Sequence, residues 1–509
     1  MSTSASSNAR AGTARGGLPA AAPGRWLRAG VLAMLAAGCA VGPDYVPPRG
    51  VDASRFTASP MPDRTVAADG IAQTFSFGES PSAGWWKLFG SPELDALVRQ
   101  AIANNPTLEA AQANLLQSRH KLRAGYGVFF PQVGAELDAT RQRLVPANEG
   151  LATPPKVFDL ITLGGTVSYA LDVFGGERRM VEGLRAQVDY QRYLTQAAYL
   201  SLCTNVVNAG IARAGYQSEA VVTQEMIALQ EQQLRTTEAA IRAGTTAYAA
   251  VLAVRGALAT SRASLASLQQ KISQSEDLLA SLEGVVPAGA MLPTLRLAAL
   301  SLPAGVPVTI PSELARQRPD ILMSEALLHA ANANIGVATA ALFPSVSLGA
   351  TYGGAAATLG ALPDPAGRFW SIGPSVSIPV FQGGSLWYQR KAAIDAHRAA
   401  EAVYRQTVLD AFAQVADALH AIEHDAEVLD AEVEAQRAAR ETLALARVSY
   451  QAGLLAYLDV WTADVALHEV TVEYLQAVAI RHQDTVALFA ALGGGWWTEG
   501  KPEAPDAAP

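Results

Sequence analysis

Two places in this 509-residue chain carry side chains whose type and spacing could do chemistry. The first is Cys39, at the end of Leu35-Ala36-Ala37-Gly38-Cys39. Ahead of it stand Arg25 and Arg28, then a short apolar run from Ala29 to Ala37, far below the ~20 residues that span a bilayer. That layout is a secretory signal peptide over residues 1–38. The small residues let a signal peptidase grip the chain, and the thiol of Cys39 can take a diacylglycerol. A lipid-attachment box usually has Leu three places before the cysteine; here Ala36 stands there and Leu35 one place further out. The other reading is an ordinary signal peptide with a chance cysteine. The second place is His420-Ala421-Ile422-Glu423-His424, which matches the H-x-x-E-H pattern of some zinc enzymes. Two imidazoles one helical turn apart could hold zinc, with Glu423 as base and a third ligand downstream. Leu419 and Ile422 belong to an apolar seam, however, which puts these three side chains on or near the outer side of a helix. No P-loop, G-x-S-x-G or G-x-G-x-x-G occurs. The expectation is no catalytic residue, no metal, no cofactor beyond a covalent lipid on Cys39, and no enzyme.

Charge narrows the partners. The first 38 residues carry four arginines and no acid, so the remainder holds 34 basic and 46 acidic side chains, a net of −12. Nucleic acid is excluded as a partner, because phosphate binding needs a basic face. Only two cysteines occur; with Cys39 acylated, Cys203 has no intramolecular mate, so no disulfide framework is expected. Charged residues make up 17%, below the ~25% of ordinary soluble domains. No apolar run of ~18 or more exists. A chain of this kind crosses a membrane only as a β-barrel, the other structure that satisfies every backbone group in lipid.

The elements that position these residues are written twice. Residues 105–133 align with 318–346, setting Pro106 on Pro319 and Phe130-Pro131 on Phe343-Pro344. With a slightly different offset, Ala243-Gly244-Thr245-Thr246-Ala247-Tyr248 aligns with Ala452-Gly453-Leu454-Leu455-Ala456-Tyr457. Each copy of this unit opens with a helical segment, 92–128 and 311–342, the second with Ser312 at an N-cap position. An aromatic-Pro step ends each segment. Two strands follow in each. Val133, Ala135 and Leu137 alternate with small or polar residues, as do Ile161 to Val173, Val346 to Tyr352, and Trp370 to Val380. A period of two over such segments marks membrane strands, apolar toward lipid and small or polar toward a lumen; a half-buried soluble sheet gives the same pattern. Four strands cannot close a barrel, since the smallest need about eight, so the barrel is shared between chains.

Long proline-free stretches come next, about 177–241 and 385–450. In the second, Val408, Phe412, Val415, Leu419, Ile422, Ala426, Leu429 and Val433 step by four and three, the 3.5-residue period of supercoiled packing. At ~1.5 Å per residue such a helix is about 100 Å long. Ala243-Gly244 and Ala452-Gly453 then turn each chain into a shorter return helix. An antiparallel coiled-coil spacer would explain the heptads but not the strands.

Val41-Gly42-Pro43-Asp44-Tyr45, Trp85-Trp86, Asn105-Pro106, Pro311-Ser312-Glu313-Leu314, Arg318-Pro319-Asp320-Ile321, Phe343-Pro344-Ser345, Gly383-Gly384 and Leu492-Gly493-Gly494-Gly495-Trp496 occur in an order that resembles the TolC-like outer membrane factors, efflux lipoproteins of the NodT/OprM type. The resemblance implies an α+β membrane protein: a trimeric β-barrel with four strands per chain, continuous with a long periplasmic α-helical barrel, built on an internal two-fold sequence repeat. It implies segments at 1–38 (signal peptide), 39–91 (acylated N-terminal segment), 92–312 and 313–492 (the two repeats), and 493–509 (tail). It implies an outer-membrane channel, lipid-anchored and extending into the periplasm. Such a channel passively conducts drugs and other small toxic compounds received from a periplasmic adaptor protein and an inner-membrane pump of the resistance-nodulation-division class. A type I protein secretion duct is the alternative. Adaptor docking falls by resemblance on Gly244, Thr245, Thr246, Gly453, Leu454 and Leu455, with Tyr248 and Tyr457 packing behind. The family's pore constriction, a ring of leucine and a ring of acid, places Leu458, Asp459 and Thr462 as gate candidates. The acid position itself reads Thr462, acids stand at Asp459 and Asp464, and Asp459 reads equally as a solvated charge.

Cys39→Ser is expected to abolish acylation, and intact-mass spectrometry of the wild-type protein is expected to show Cys39 as a diacylated N-terminus. An unmodified Cys39 in the wild type would refute the assignment.

Overall fold

The computed structural model describes residues 40–49, 53–145 and 154–498, so Cys39, the signal peptide and the end of the tail lie outside the described residues. In chain order the elements are β1 (Thr74–Phe77), α1 (Pro92–Asn104), α2 (Pro106–Gly125), β2 (Gln132–Leu144), β3 (Lys156–Leu171), α3 (Gly176–Arg242), α4 (Tyr248–Leu282), β4 (Gly305–Val308), α5 (Pro311–Gln317), α6 (Pro319–Ala340), β5 (Ser345–Ala356), β6 (Arg368–Ser377), α7 (Ser385–Gln451) and α8 (Tyr457–Ala491). They pack as two units, each drawing on both halves of the sequence. One comprises Val128–Arg179, Gly336–Leu386 and residues 40–42; the other comprises Pro43–Gly127, Met180–Ile335 and residues 387–498.

The first unit is built on an antiparallel sheet of order β2-β3-β5-β6. Its register sets Val133 opposite Val167, Leu137 opposite Leu163, Val167 opposite Ala350, Tyr352 opposite Trp370, and Val346 opposite Val376. Directly opposed residues share a face, so every apolar position of the alternation falls on one side. The other side carries Glu136, Asp138, Thr166, Ser168, Ser347, Thr351, Ser371 and Ser375. The apolar side is exposed among the described residues: Val133 is 77% exposed and Trp370 73%. It ends at Ala139 and Ile161, because the next opposed pair on that side is Arg141 with Asp159. Strand β6 stops at Ser377, short of the Val380 that the alternation suggests, since Pro379 offers no N–H to a ladder. Each of β2 and β6 has a single sheet neighbour, so among the described residues the sheet does not close on itself.

In the second unit both long helices have 67 residues and both return helices 35, so the two halves match element for element. The 3.5-period seam of α7 is its buried side, with Val408, Val415, Leu419, Ile422, Ala426 and Leu429 in the core. Leu419 and Ile422 pack with Phe75, Val306, Val308, Leu314 and Leu488. A second cluster joins Trp85, Phe89, Leu94 and Leu97 to Val206 and Ile211 of α3 and Phe489 of α8, with Trp85 and Phe489 stacked at 5.4 Å. Cys203 is buried in that cluster.

Two sequence expectations are corrected here. The helical segments 92–128 and 311–342 are not continuous; each breaks at an X-Pro step, where Pro106 and Pro319 start a new helix. The proline needs no partner for its missing N–H there, and the side chain of Asn105 accepts from the Leu108 amide at 3.0 Å. Ser312 is not the N-cap, because Pro311 already occupies the first turn and Ile310 is the cap. The Arg318-Pro319-Asp320 run also acquires a physical role. The Arg318 guanidinium donates to the Ala491 carbonyl, to Asp320 and to Gln414, each at 2.7 Å, tying the end of α8 to the start of α6.

The expectation that this apolar face meets hydrocarbon predicts asymmetry between neighbours in β6. Val376→Arg is expected to lower the stability of the membrane-inserted protein by about 2–4 kcal/mol, and Ser375→Arg, on the polar side, by much less. Urea titration in lipid vesicles measures both, and equal losses would point to a soluble sheet.

Candidate site at the helical turns

Both turns between long and return helices are closed by the same backbone bonds. After α3 the Gly244 amide donates to Ile241 O at 2.9 Å and the Thr245 amide to Ala240 O at 3.0 Å. After α7 the Gly453 amide donates to Tyr450 O and the Leu454 amide to Ser449 O, both at 2.9 Å. These are Schellman closures, which satisfy carbonyls the helix end would otherwise leave open. They need a left-handed residue, and Gly244 and Gly453 have φ of 76° and 74°. Nothing lies within 4 Å of where a Cβ would stand at either glycine, so conformation alone demands glycine.

The side chains beyond differ between the copies. Leu454 is 77% exposed, and Leu455 and Leu458 are exposed too, with no counterpart apolar pair at Thr245 and Thr246. The Thr245 hydroxyl instead donates back to Ala240 O. Tyr457 packs edge-on against Tyr450, ring centroids 5.6 Å apart. Tyr248 departs from the expectation that it packs behind the turn: it is 60% exposed. The residue aligned with Tyr450 is Ile241, which offers no ring to meet. Below the second turn Leu443, Ala446, Val460 and Ala463 form a small core that fixes the hairpin.

The gate candidates separate by what holds them. The Asp459 carboxylate accepts from the Ala456 amide at 2.9 Å, bonding back across the first turn of α8 where the helix dipole also favours an acid. The Thr462 hydroxyl donates to Leu458 O. Asp464 is buried against Arg447 at 3.3 Å. Leu458, Asp459 and Thr462 are all on the exposed side of α8, and Asp464 is not.

Higher in the helices lies a carboxyl pair the sequence reading missed. Asp425 of α7 shares a hydrogen bond with Asp484 of α8, and burial together with that bond pushes Asp425 up to about 7. Its sequence signal is slight: one acid on each of two helices beside a seam residue. Arg481, almost fully buried, donates to Gln73, Thr65 and Ile71 O at 3.3–3.4 Å. The H-x-x-E-H residues His420, Glu423 and His424 also come together, their ligating atoms within 4.8 Å of one another.

Comparisons with known proteins agree over most of the chain. The sequence model of the family described as "Outer membrane efflux protein" matches residues 97–285 and again 310–494. The probable efflux pump outer membrane protein TtgC of Pseudomonas putida is 30% identical, over 92% of this chain and 95% of its own length. The cation efflux system protein CusC of Escherichia coli K12 is 26% identical, over 91% and 98%. The open-state crystal structure of the MtrE outer membrane channel of Neisseria gonorrhoeae superposes with a TM-score of 0.76 at 26% identity, covering 90% of this chain and 98% of that one.

The turn geometry predicts a graded glycine series. Gly453→Ala and Gly244→Ala are expected to cost about 1 kcal/mol each, the penalty for a left-handed alanine with room for its methyl group. Gly284→Ala, whose methyl group would meet the Asn104 carbonyl, is expected to cost clearly more. Thermal unfolding of the detergent-solubilised protein ranks the three.

Proposed function

Because this chain belongs to the outer membrane efflux protein family, we propose that three copies close their sheets into one twelve-stranded barrel. That barrel conducts small molecules passively out of a tripartite efflux assembly. The observation that carries this reading is the single apolar face of the β2-β3-β5-β6 sheet. On β3 it runs from Ile161 to Leu171, ten residue steps. At ~3.3 Å per step and the usual strand tilt, that is a band about 25 Å tall, the height of the apolar belt on membrane barrels. Trp370, paired with Tyr352 and next to Arg368 on that side of β6, suits the aromatic girdle of such a belt. The unpartnered edges of β2 and β6 are what neighbouring copies would pair.

Lipid on Cys39 would anchor each chain in the outer membrane, and the helices would extend into the periplasm. The turns at Gly244-Thr245-Thr246 and Gly453-Leu454-Leu455 would meet the adaptor, with Tyr248 and Tyr457 beside them. Leu458, Asp459 and Thr462 would line the closable end of the pore, Asp459 keeping its bond to Ala456. A resistance-nodulation-division pump supplies the energy in this reading and selects the cargo.

The exposed pair Leu454 and Leu455 gives the test. A charge buried unpaired against a partner is strongly unfavourable, whereas at an exposed turn it is harmless to the fold. Leu454→Asp and Leu455→Asp are expected to leave the abundance of trimer in the outer membrane unchanged, while abolishing efflux and cross-linking to the adaptor. Variants that still cross-link and export normally would move the docking site elsewhere.

A further inference from the structure

His420, Glu423 and His424 sit at positions i, i+3 and i+4 of α7, on the side away from its buried seam. That spacing stacks one side chain over the next along a helix face. The two imidazole rings lie 6.4 Å apart and 16° from parallel, so both present their edges in the same sense. Each ring also has a carboxylate at its Nδ1. Glu423 Oε2 is 3.8 Å from Nδ1 of His420, and Glu427 Oε2 is 3.1 Å from Nδ1 of His424. A ring that donates Nδ1–H to Glu427 keeps its lone pair on Nε2, and a carboxylate behind an imidazole is the usual arrangement that orients a metal ligand. Glu427 is one further turn along the same face, so four potential donors follow one another there.

We propose that this face of α7 is a binding site for a divalent transition-metal ion, held by His420, His424 and the Glu423 carboxylate, with Glu427 positioning His424. The donor set decides the class of ion. Imidazole nitrogens suit Cu2+, Zn2+ and Ni2+, whereas Mg2+ and Ca2+ take all-oxygen shells. The exposure that argues against a catalytic zinc centre is what leaves this site open to the surrounding solution. Three ligands from one turn complete no coordination shell, so water fills the rest. The ion binds only while that turn is helical, and its binding free energy therefore stabilises α7 locally. Among the described residues no other three His, Cys, Asp or Glu side chains bring their donor atoms this close. Three other histidines are engaged elsewhere: His329 with Glu182, His468 with the Asp464 carbonyl, and His482 with the Val478 carbonyl in the core.

The site is independent of the channel reading and is tested on the full-length protein in detergent, prepared without a histidine tag. Calorimetric titration with Cu2+ alone and with Zn2+ alone is expected to show one ion bound per chain. Electron paramagnetic resonance of the Cu2+ form is expected to show two nitrogen ligands. The double variant His420→Gln, His424→Gln is expected to lose this binding. Glu427→Gln is expected to weaken it about ten- to a hundredfold while keeping both nitrogens. Excess Mg2+ is expected not to displace the ion. An unchanged elution volume and melting temperature of the metal-free variants establish that they fold, as changes at exposed residues allow. Absence of binding in the wild type, equal affinity in the double variant, or displacement by Mg2+ would each overturn the proposal.

Discussion

A sheet of four strands cannot satisfy its own edges, and most of this molecule follows from that. Among the described residues β2 and β6 each have one sheet neighbour, so each keeps an open edge, and the face between them is apolar until Arg141, Asp159 and Arg368 end it. Exposed to water, such a sheet would be both sticky and incompletely bonded. Hydrocarbon satisfies the face but makes the open edges intolerable, because lipid offers no hydrogen bonds. Only closure with further strands answers both demands. In the barrel proposed above, the constraint on these few strands would bring together several copies of the whole chain, long helices included.

The helical unit answers a different demand, that of holding long helices together with few large side chains. Alanine fills much of the seam of α7, and the bulky packing is concentrated around Trp85, Phe89 and Phe489. Two buried arginines there join distant segments. Arg318 bonds the Ala491 carbonyl at the end of α8, and Arg481 fastens the segment around Gln73. Both are charge-assisted bonds in partly dry surroundings, stronger than their neutral equivalents. They act as clasps between segments far apart in sequence.

Periodicity made the largest features legible. The four-three steps from Val408 to Val433 and the alternation from Val133 to Val376 each repeat often enough to fix type and face, and the turns at Gly244 and Gly453 carry a residue chosen by conformation. What escaped depended on partners far along the chain or on very local stereochemistry. The parallel pairing of β1 with β4 joins Thr74 to Gly305, and four residues give too little alternation to announce a strand. Breaks at Asn105-Pro106 and Arg318-Pro319 were hidden because proline can begin a helix as well as end one. Tyr248 was expected to pack like Tyr457, yet its fate is set by what faces it, and Ile241 is not Tyr450. Among the gate candidates, Asp459 reads as a plain acid until the Ala456 amide is found beside it.

The two turns share a backbone to within a few degrees, yet they are braced unequally. The second has an aromatic pair, Tyr450 with Tyr457, and an aspartate strap from Asp459 to Ala456. The first has Ile241 and Ala250 at those positions and neither device. A repeat symmetrical in its backbone is thus asymmetrical in what fastens its bends: a threonine hydroxyl on the Ala240 carbonyl at the first, a ring pair and a carboxylate at the second.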